Sequence, residues 1–321
     1  MPVYNAEAYL QESIKSILDQ TFEDFEFIIV DDQSTDNSRH ILQSFKDKRI
    51  KFISTPKNLG RAGADNYAIQ FARGEYIAKM DSDDISLPYR LDKQVSFLDD
   101  NPKINILGTW SQNFGQSNVL NKYPVDPEIA KCWLLCSIPV TNPSIMMRRI
   151  LFDKGCKYNE NYRQAEDYDF FVRYINLIKV SNIPESLIKY RVYPSEKKIN
   201  ERKRSAEMIQ KSIFLEWGIP VSDRDLLLHT SISYYDNVAT EENLKETHSW
   251  LLKILEHNLR EPWFDHDKME KFIAKKWFDV CYNSKPKKCQ TRKVFRTGYL
   301  SKKIEISLIS KAKHFIRDVL D

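Results

Sequence analysis

No apolar run in this 321-residue chain approaches the ~20 residues of a membrane-spanning helix, and none is expected. No basic segment followed by a hydrophobic stretch opens the sequence, so no secretory signal is expected either. Glycine is scarce, with eight residues, and neither G-x-G-x-x-G nor G-x-x-x-x-G-K-[ST] occurs. Ordinary dinucleotide and P-loop binding are therefore poor readings, and any phosphate must be held by a metal and side chains. The cysteines are few and scattered: Cys132, Cys136, Cys156, Cys281 and Cys289. Cys132 and Cys136 could share a helix face, but no second pair and no nearby histidine completes a zinc site. Reduced thiols point to the cytoplasm. No fixed-period repeat is visible.

Charge is unevenly placed. Residues 1–194 carry 24 Lys and Arg against 26 Asp and Glu, whereas residues 268–317 carry 15 against 3. Such a basic stripe suits an anionic membrane surface or a lipid pyrophosphate; nucleic acid is not expected, and a merely solvated helical face fits as well.

The densest chemical signal is Lys79-Met80-Asp81-Ser82-Asp83-Asp84, directly after the strand-like Glu75-Tyr76-Ile77-Ala78. Adjacent carboxylates repel one another and gain nothing from packing unless a divalent cation sits between them and a polyanion. Asp81 and Asp83 are two apart, so an extended segment would point both to one face. Oxygen ligands of this kind suit Mg²⁺ or Mn²⁺. A solvated turn with helix-capping acids ahead of Pro88 is the plain alternative.

The first half alternates as βαβα. A helix follows Asn5, a good N-cap; a continuous apolar strand at residues 25–30 leads into Asp31-Asp32; further strands precede Asn58-Leu59-Gly60 and Asp81. This pattern predicts an α/β fold, with a mainly parallel sheet covered on both faces and ligands beyond the carboxyl ends of its strands. Arg61 is a candidate phosphate donor there, or an exposed helix-start arginine. Ala165-Glu166-Asp167-Tyr168-Asp169 offers either first-turn acids favoured by a helix dipole or a carboxylate base for an incoming hydroxyl.

Taken together, Met1-Pro2-Val3-Tyr4-Asn5-Ala6-Glu7, Ile28-Ile29-Val30-Asp31-Asp32-Gln33-Ser34-Thr35-Asp36, the Gly74–Asp84 run, Asn142-Pro143-Ser144 and Ala165-Glu166-Asp167-Tyr168-Asp169 resemble glycosyltransferase family 2, in the family's order. The resemblance covers about residues 1–194. It implies a GT-A fold and inverting, metal-dependent transfer of a hexosyl group from a nucleotide-sugar, with a UDP-sugar expected. The implied acceptor is a glycan or lipid-linked glycan in bacterial capsule, lipopolysaccharide or exopolysaccharide synthesis. By the same resemblance Pro2, Tyr4 and Glu7 line the nucleotide and Asp32 contacts the base. Asp81 lies near ribose and metal, Asp83 is the direct Mn²⁺ or Mg²⁺ ligand, Asp167 is the catalytic base and Glu166 positions the acceptor.

Three departures stand out. The family's apolar strand before Pro-Val-Tyr-Asn is missing, and the expectation is a natural start upstream. Tyr193 stands where relatives often carry histidine, which puts a third protein ligand in question. Lys79, counted with the donor-binding residues, stands where arginine is frequent and lacks its bidentate fork. An inactive nucleotide-sugar-binding or scaffold subunit is the non-enzyme alternative. A sugar nucleotidyltransferase is the other, but it would want a glycine-rich, lysine-bearing N-terminal loop.

Domains are expected at 1–194 (catalytic) and 195–321 (a basic α-helical extension), with helices at 197–217, 241–257, 266–282 and 298–320. A cytoplasmic enzyme lying peripherally on the inner face of the plasma membrane follows from the basic stripe. The full chain is then expected to float with vesicles containing anionic phospholipid at low salt and to stay at the bottom of the gradient at high salt. Sedimentation in both conditions would remove the membrane from its partners.

Overall fold

Runs of β-branched and aromatic residues between turn residues become the first strands, because such side chains pack well on a pleated surface. These are β2 (Phe27–Asp31) and β3 (Ile50–Ser54), and with the short β1 (Pro2–Val3) they form a parallel sheet with β2 central. The computed structural model describes residues 1–193, 196–234, 240–283, 295 and 298–303. Helix α1 (Leu10–Leu18) turns Leu10, Ile14 and Ile17 onto the sheet, where they join Val3, Phe27, Ile29 and Leu42 in one core cluster. Each such buried side chain contributes about 1.5–3 kcal/mol. Leu42 comes from α2 (Ser38–Ser44), and α3 (Gly60–Ile69) follows β3.

A second sheet comprises β4 (Tyr76–Ala78), β5 (Ile85–Ser86), β6 (Ile106–Gly115), β7 (Leu120–Asn121), β8 (Met146–Arg148) and β9 (Val180–Val192). Its order is β4-β8-β6-β9-β5, with β7 on β6. Only β6 and β9 run parallel; the other pairs are antiparallel. The expected mainly parallel sheet thus holds for β1–β3, and the second sheet is mixed. A buried strand of either direction reads as the same apolar run, so pairing direction is invisible in the sequence. Helices α4 (Arg90–Asp100), α5 (Pro127–Trp133), α6 (Ile150–Asp153) and α7 (Glu166–Arg173) complete this part. Asp126 caps α5, accepting from the amides of Glu128 and Ile129, with Pro127 at the first helical position.

One local expectation changes. Asn5 does not cap α1, which begins five residues later; it takes φ +50° and accepts from the Thr35 amide at 2.8 Å, tying the first loop to the loop after β2. Pro2 and Val3 themselves form a strand, pairing with Val30 and Asp31, and the Met1 nitrogen donates to Ile28 O at 2.9 Å. Strands β1 and β4 are not hydrogen-bonded to each other. A cavity of about 720 Å³ is lined by both and by Ile28, Met80 and Met147.

By compactness the chain divides into two units, residues 1–134 with 138–205, and residues 135–137 with 206–321. The division falls within α8 (Glu196–Glu216). The second unit contains α9 (Asp223–Tyr234), α10 (Glu241–Arg260) and α11 (His266–Asn283). Of these α9 was not anticipated, since its apolar residues are spread around the helix. Buried His229 organises this unit. Trp250 Nε1 donates to its Nδ1 at 3.1 Å, which leaves Nε2 protonated to donate to Leu135 O at 2.6 Å. Cys132, Cys136, Cys156 and Cys281 form no disulfide. Cys289, most of the expected 298–320 helix and much of the basic stripe lie outside the described residues. No described helix is long and apolar enough to cross a membrane.

The pairing of β6 with β9 depends on one glycine. A Cβ on Gly108 would overlap Asn182 Oδ1 and come within 2.8 Å of Val140 Cγ1. Asn182 cannot retreat freely, because its Nδ2 donates to Pro124 O and Pro139 O at 2.8 and 2.9 Å. Gly108→Ala is expected to lower stability by about 2 kcal/mol in urea denaturation. An unchanged midpoint would mean that the two strands have slack there.

Candidate functional site

Strand β4 ends at Ala78, and the Lys79 amide makes one last bond across to Ile145 O at 2.8 Å. The chain then turns at Ser82 and Asp83. Because of that turn, Asp81, Asp83 and Asp84 each offer a carboxylate oxygen within 4.8 Å of the others. An extended segment would have aligned only Asp81 and Asp83; the turn adds Asp84.

The far end of β9 holds this cluster in place. The Arg191 amide donates to Asp84 Oδ1 at 2.7 Å, and Arg191 Nε donates to Asp83 O at 2.8 Å. The Arg191 guanidinium is sandwiched between the rings of Tyr9 at 3.9 Å and Phe114 at 4.2 Å, with Glu12 at 2.9 Å. The Tyr193 hydroxyl lies beside the Asp83 side chain and works to lower its carboxyl. Burial, then the neighbouring Asp81 and Asp83, push the Asp84 carboxyl up to about 8. Burial and Asp81 raise Asp83 as well. Asp84 Oδ2 is buried with no hydrogen-bond partner. Crowded hard oxygens, mutual repulsion and an orphaned carboxylate oxygen fit a divalent cation.

Arg61, in the first turn of α3, donates from Nη2 to Asp81 Oδ2 at 3.0 Å, and its Nε lies 3.8 Å from Glu166 Oε1. Asp81 first, and Glu166 after it, hold its half-exposed guanidinium well above the ordinary arginine range. The start of α3 is fixed by Asp32, whose carboxylate accepts from the Leu59 and Gly60 amides at 2.8 Å each and from Thr55 Oγ1 at 2.8 Å. Gly60 there has φ +73°, which glycine adopts without strain. Asp32 thus anchors the helix that carries Arg61.

Lys79 moves out of the expected donor-contact set. Its ammonium is buried 2.7 Å from Asp65 Oδ2 and 3.4 Å from the Tyr158 hydroxyl. Burial works against the charge, but the Asp65 carboxylate raises the ammonium above the ordinary lysine range. What reaches the site from Lys79 is its field, which lowers the Glu166 carboxyl.

Glu166 and Asp167 open α7, after Ala165 in the left-handed conformation at φ +65°. Glu166 is buried, and burial followed by Asp167 pushes its carboxyl up to about 7, against Arg61 and Lys79. Asp167 is half-buried and accepts from the Tyr168 amide at 2.8 Å. Arg61 therefore joins Asp81 to Glu166, two positions far apart in sequence. The first loop stays outside this polar centre. Tyr4 is exposed, Pro2 is half-buried in β1, and exposed Glu7 accepts from the Asn37 amide at 2.8 Å.

Nothing in the sequence marks Asp65, Tyr158 or Arg191 as site residues, and Asp84 stands out only as part of the acidic run, outside the Asp-x-Asp spacing. Arg191 stands two residues before Tyr193, and nothing local tells a guanidinium that will clamp a remote loop from a solvated one.

The sequence model of glycosyl transferase family 2 matches residues 1–155. An uncharacterized glycosyltransferase of Methanocaldococcus jannaschii is 40% identical over 202 residues, covering 60% of this chain and 69% of that protein. The Escherichia coli protein WfgD, a UDP-Glc:alpha-D-GlcNAc-diphosphoundecaprenol beta-1,3-glucosyltransferase, is 30% identical over 214 residues, covering 65% of this chain and 83% of WfgD. Among solved structures, Staphylococcus aureus TarS 1–349 in complex with UDP-GlcNAc superposes with a TM-score of 0.59 at 19% identity, over 93% of this chain and 91% of that one. The Pyrobaculum calidifontis mannosyltransferase in complex with GDP-Man and Mn²⁺ gives 0.51 at 14% identity, over 99% and 78%. These two structures show the shared fold.

The raised Asp84 carboxyl has a consequence for stability. A carboxyl whose folded pKa lies above its unfolded value disfavours the fold once it ionises. Metal-free stability is therefore expected to fall as pH rises from about 4 towards about 8. Asp84→Asn keeps an acceptor for the Arg191 amide and removes the charge. In EDTA it is expected to raise the melting temperature at pH 7.5 by about 2–5 °C, with a smaller gain at pH 5. An equal or lower melting temperature at pH 7.5 would contradict the electrostatic account of this carboxylate.

Proposed function

We propose, given that the chain belongs to glycosyl transferase family 2 and has the GT-A fold, that it transfers a hexosyl group with inversion from a UDP-sugar to a glycan or lipid-linked glycan acceptor, as a step in making a bacterial surface polysaccharide. The observation that carries this reading is the Asp81–Asp83–Asp84 cluster joined through Arg61 to Glu166. Three carboxylates suited to a cation beside an acid pair support a displacement of a diphosphate by a hydroxyl. The named activity of WfgD and the nucleotide-sugar bound to TarS support the donor and acceptor classes.

Asp81, Asp83 and Asp84 would hold Mn²⁺ or Mg²⁺, and the fit rests on the unpartnered Asp84 Oδ2. The ion, when bound there, would compensate charge on the leaving diphosphate. Arg61 adds a guanidinium suited to phosphate oxygens. Pro2, Tyr4 and Glu7 form the rim against which the nucleotide lies, and Asp32 faces the base with the lone pairs left over from its backbone bonds. Asp167 takes the proton of the acceptor hydroxyl as that oxygen attacks the anomeric carbon from the face opposite the diphosphate, and Glu166 orients the acceptor. One direct displacement inverts the anomeric centre. Residues 1–194 are assigned the transferase and 195–321 a basic extension for an anionic membrane surface.

A thermal-shift panel of nucleotide-sugars with and without Mn²⁺ tests this. A Mn²⁺-dependent rise with a UDP-sugar is expected, lost in Asp83→Ala. Asp167→Asn should keep that rise and lose about 10²–10⁴-fold in transfer rate. A panel with no response to any nucleotide would refute the donor reading, and unimpaired transfer by Asp167→Asn would refute the base.

A further inference from the structure

Each acid of the cluster is engaged by another group of the chain: Asp84 by the Arg191 amide, Asp83 by the Tyr193 hydroxyl and Asp81 by Arg61. The three engagements differ in how readily they can yield. The Arg191 bond is a backbone bond, and that residue's side chain, 13% exposed, is clamped between two rings. The Tyr193 hydroxyl is neutral and its contact with Asp83 carries no opposing charge. Arg61 is the guanidinium in direct contact with a cluster carboxylate, and its side chain is 47% exposed. It also has a second acid within reach, since its Nε already stands 3.8 Å from Glu166 Oε1.

We propose that Arg61 is a built-in counter-cation that a divalent metal ion displaces from Asp81, and that the displaced guanidinium closes onto Glu166. The inference rests on the metal-dependent reading above. Without metal, Arg61 offsets the charge of Asp81. A divalent ion bound by the three carboxylates repels the guanidinium and takes over Asp81. Glu166 supplies the compensating contact, so that loading the donor side tightens an ion pair at the acid pair expected to handle the acceptor. Asp32 fixes the backbone of the α3 start through the Leu59 and Gly60 amides, so the exchange needs only side-chain torsions. Arg61 is in this respect a positioning residue that acts through Glu166.

The test is Mn²⁺ binding by calorimetry, without nucleotide, on the full chain and on Arg61→Gln, Glu166→Gln and the double variant. Arg61→Gln is expected to tighten Mn²⁺ about three- to fivefold, the scale of a half-exposed ion pair. Glu166→Gln is expected to weaken Mn²⁺ in the native background and to change nothing once Arg61 is replaced. Unchanged or weaker binding by Arg61→Gln overturns the proposal. So does an equal weakening by Glu166→Gln in both backgrounds, which describes a general field rather than an exchange. If Arg61→Gln does not fold, Arg61→Lys keeps the charge but loses the fork. It should then tighten Mn²⁺ by less than threefold and halve the effect of Glu166→Gln; native-like values for both overturn the proposal. Absence of Mn²⁺ binding in the native chain and all variants refutes the metal reading itself. Mn²⁺ binding that Arg61→Gln leaves untouched refutes only the exchange.

Discussion

Like charges held a few ångströms apart out of bulk water are costly, and around Asp81, Asp83 and Asp84 the protein tolerates that cost through local compensation. The Arg191 amide and guanidinium fix the turn, and Arg61 neutralises Asp81 from α3. Even so, Asp84 keeps one buried oxygen unpartnered and a carboxyl displaced far upward. Stability alone would favour a neutral side chain there. An under-satisfied buried group of this kind is where function and folding pull apart.

The parts that meet at this point come from distant stretches. Strand β4 delivers the acidic turn, the end of β9 delivers Arg191 and Tyr193, α3 delivers Arg61, and α7 delivers Glu166 and Asp167. Behind them the buried pair of Lys79 and Asp65 contributes field rather than contact. Such a pair adds little net stability over an apolar substitute, but loss of either member would leave a buried charge alone. The site therefore depends on an interior electrostatic layer as well as on the groups that face the ligand.

Much of the frame was legible in the chain. Apolar runs and turn residues located β2, β3, β4 and helices α1, α8, α10 and α11 to within a few residues, because burial imposes those periods wherever the element sits. The ordered motifs identified the family, which the comparisons establish. Less legible was whatever depends on a partner. Asn5 looked like a helix cap because capping residues and loop-lacing residues share the same side-chain chemistry. Helix α9 escaped because its buried residues do not keep to one stripe.

The sequence by itself determined which acids exist, their order and the α/β class, since local propensity and hydrophobic pattern act over a few neighbouring residues. Only the tertiary structure decided that Asp84 joins Asp81 and Asp83, that Lys79 turns inward to Asp65, and that Arg61 links Asp81 to Glu166. Those outcomes hang on distances between segments up to about a hundred residues apart, and Coulomb energy depends on separation in space, which no local pattern encodes.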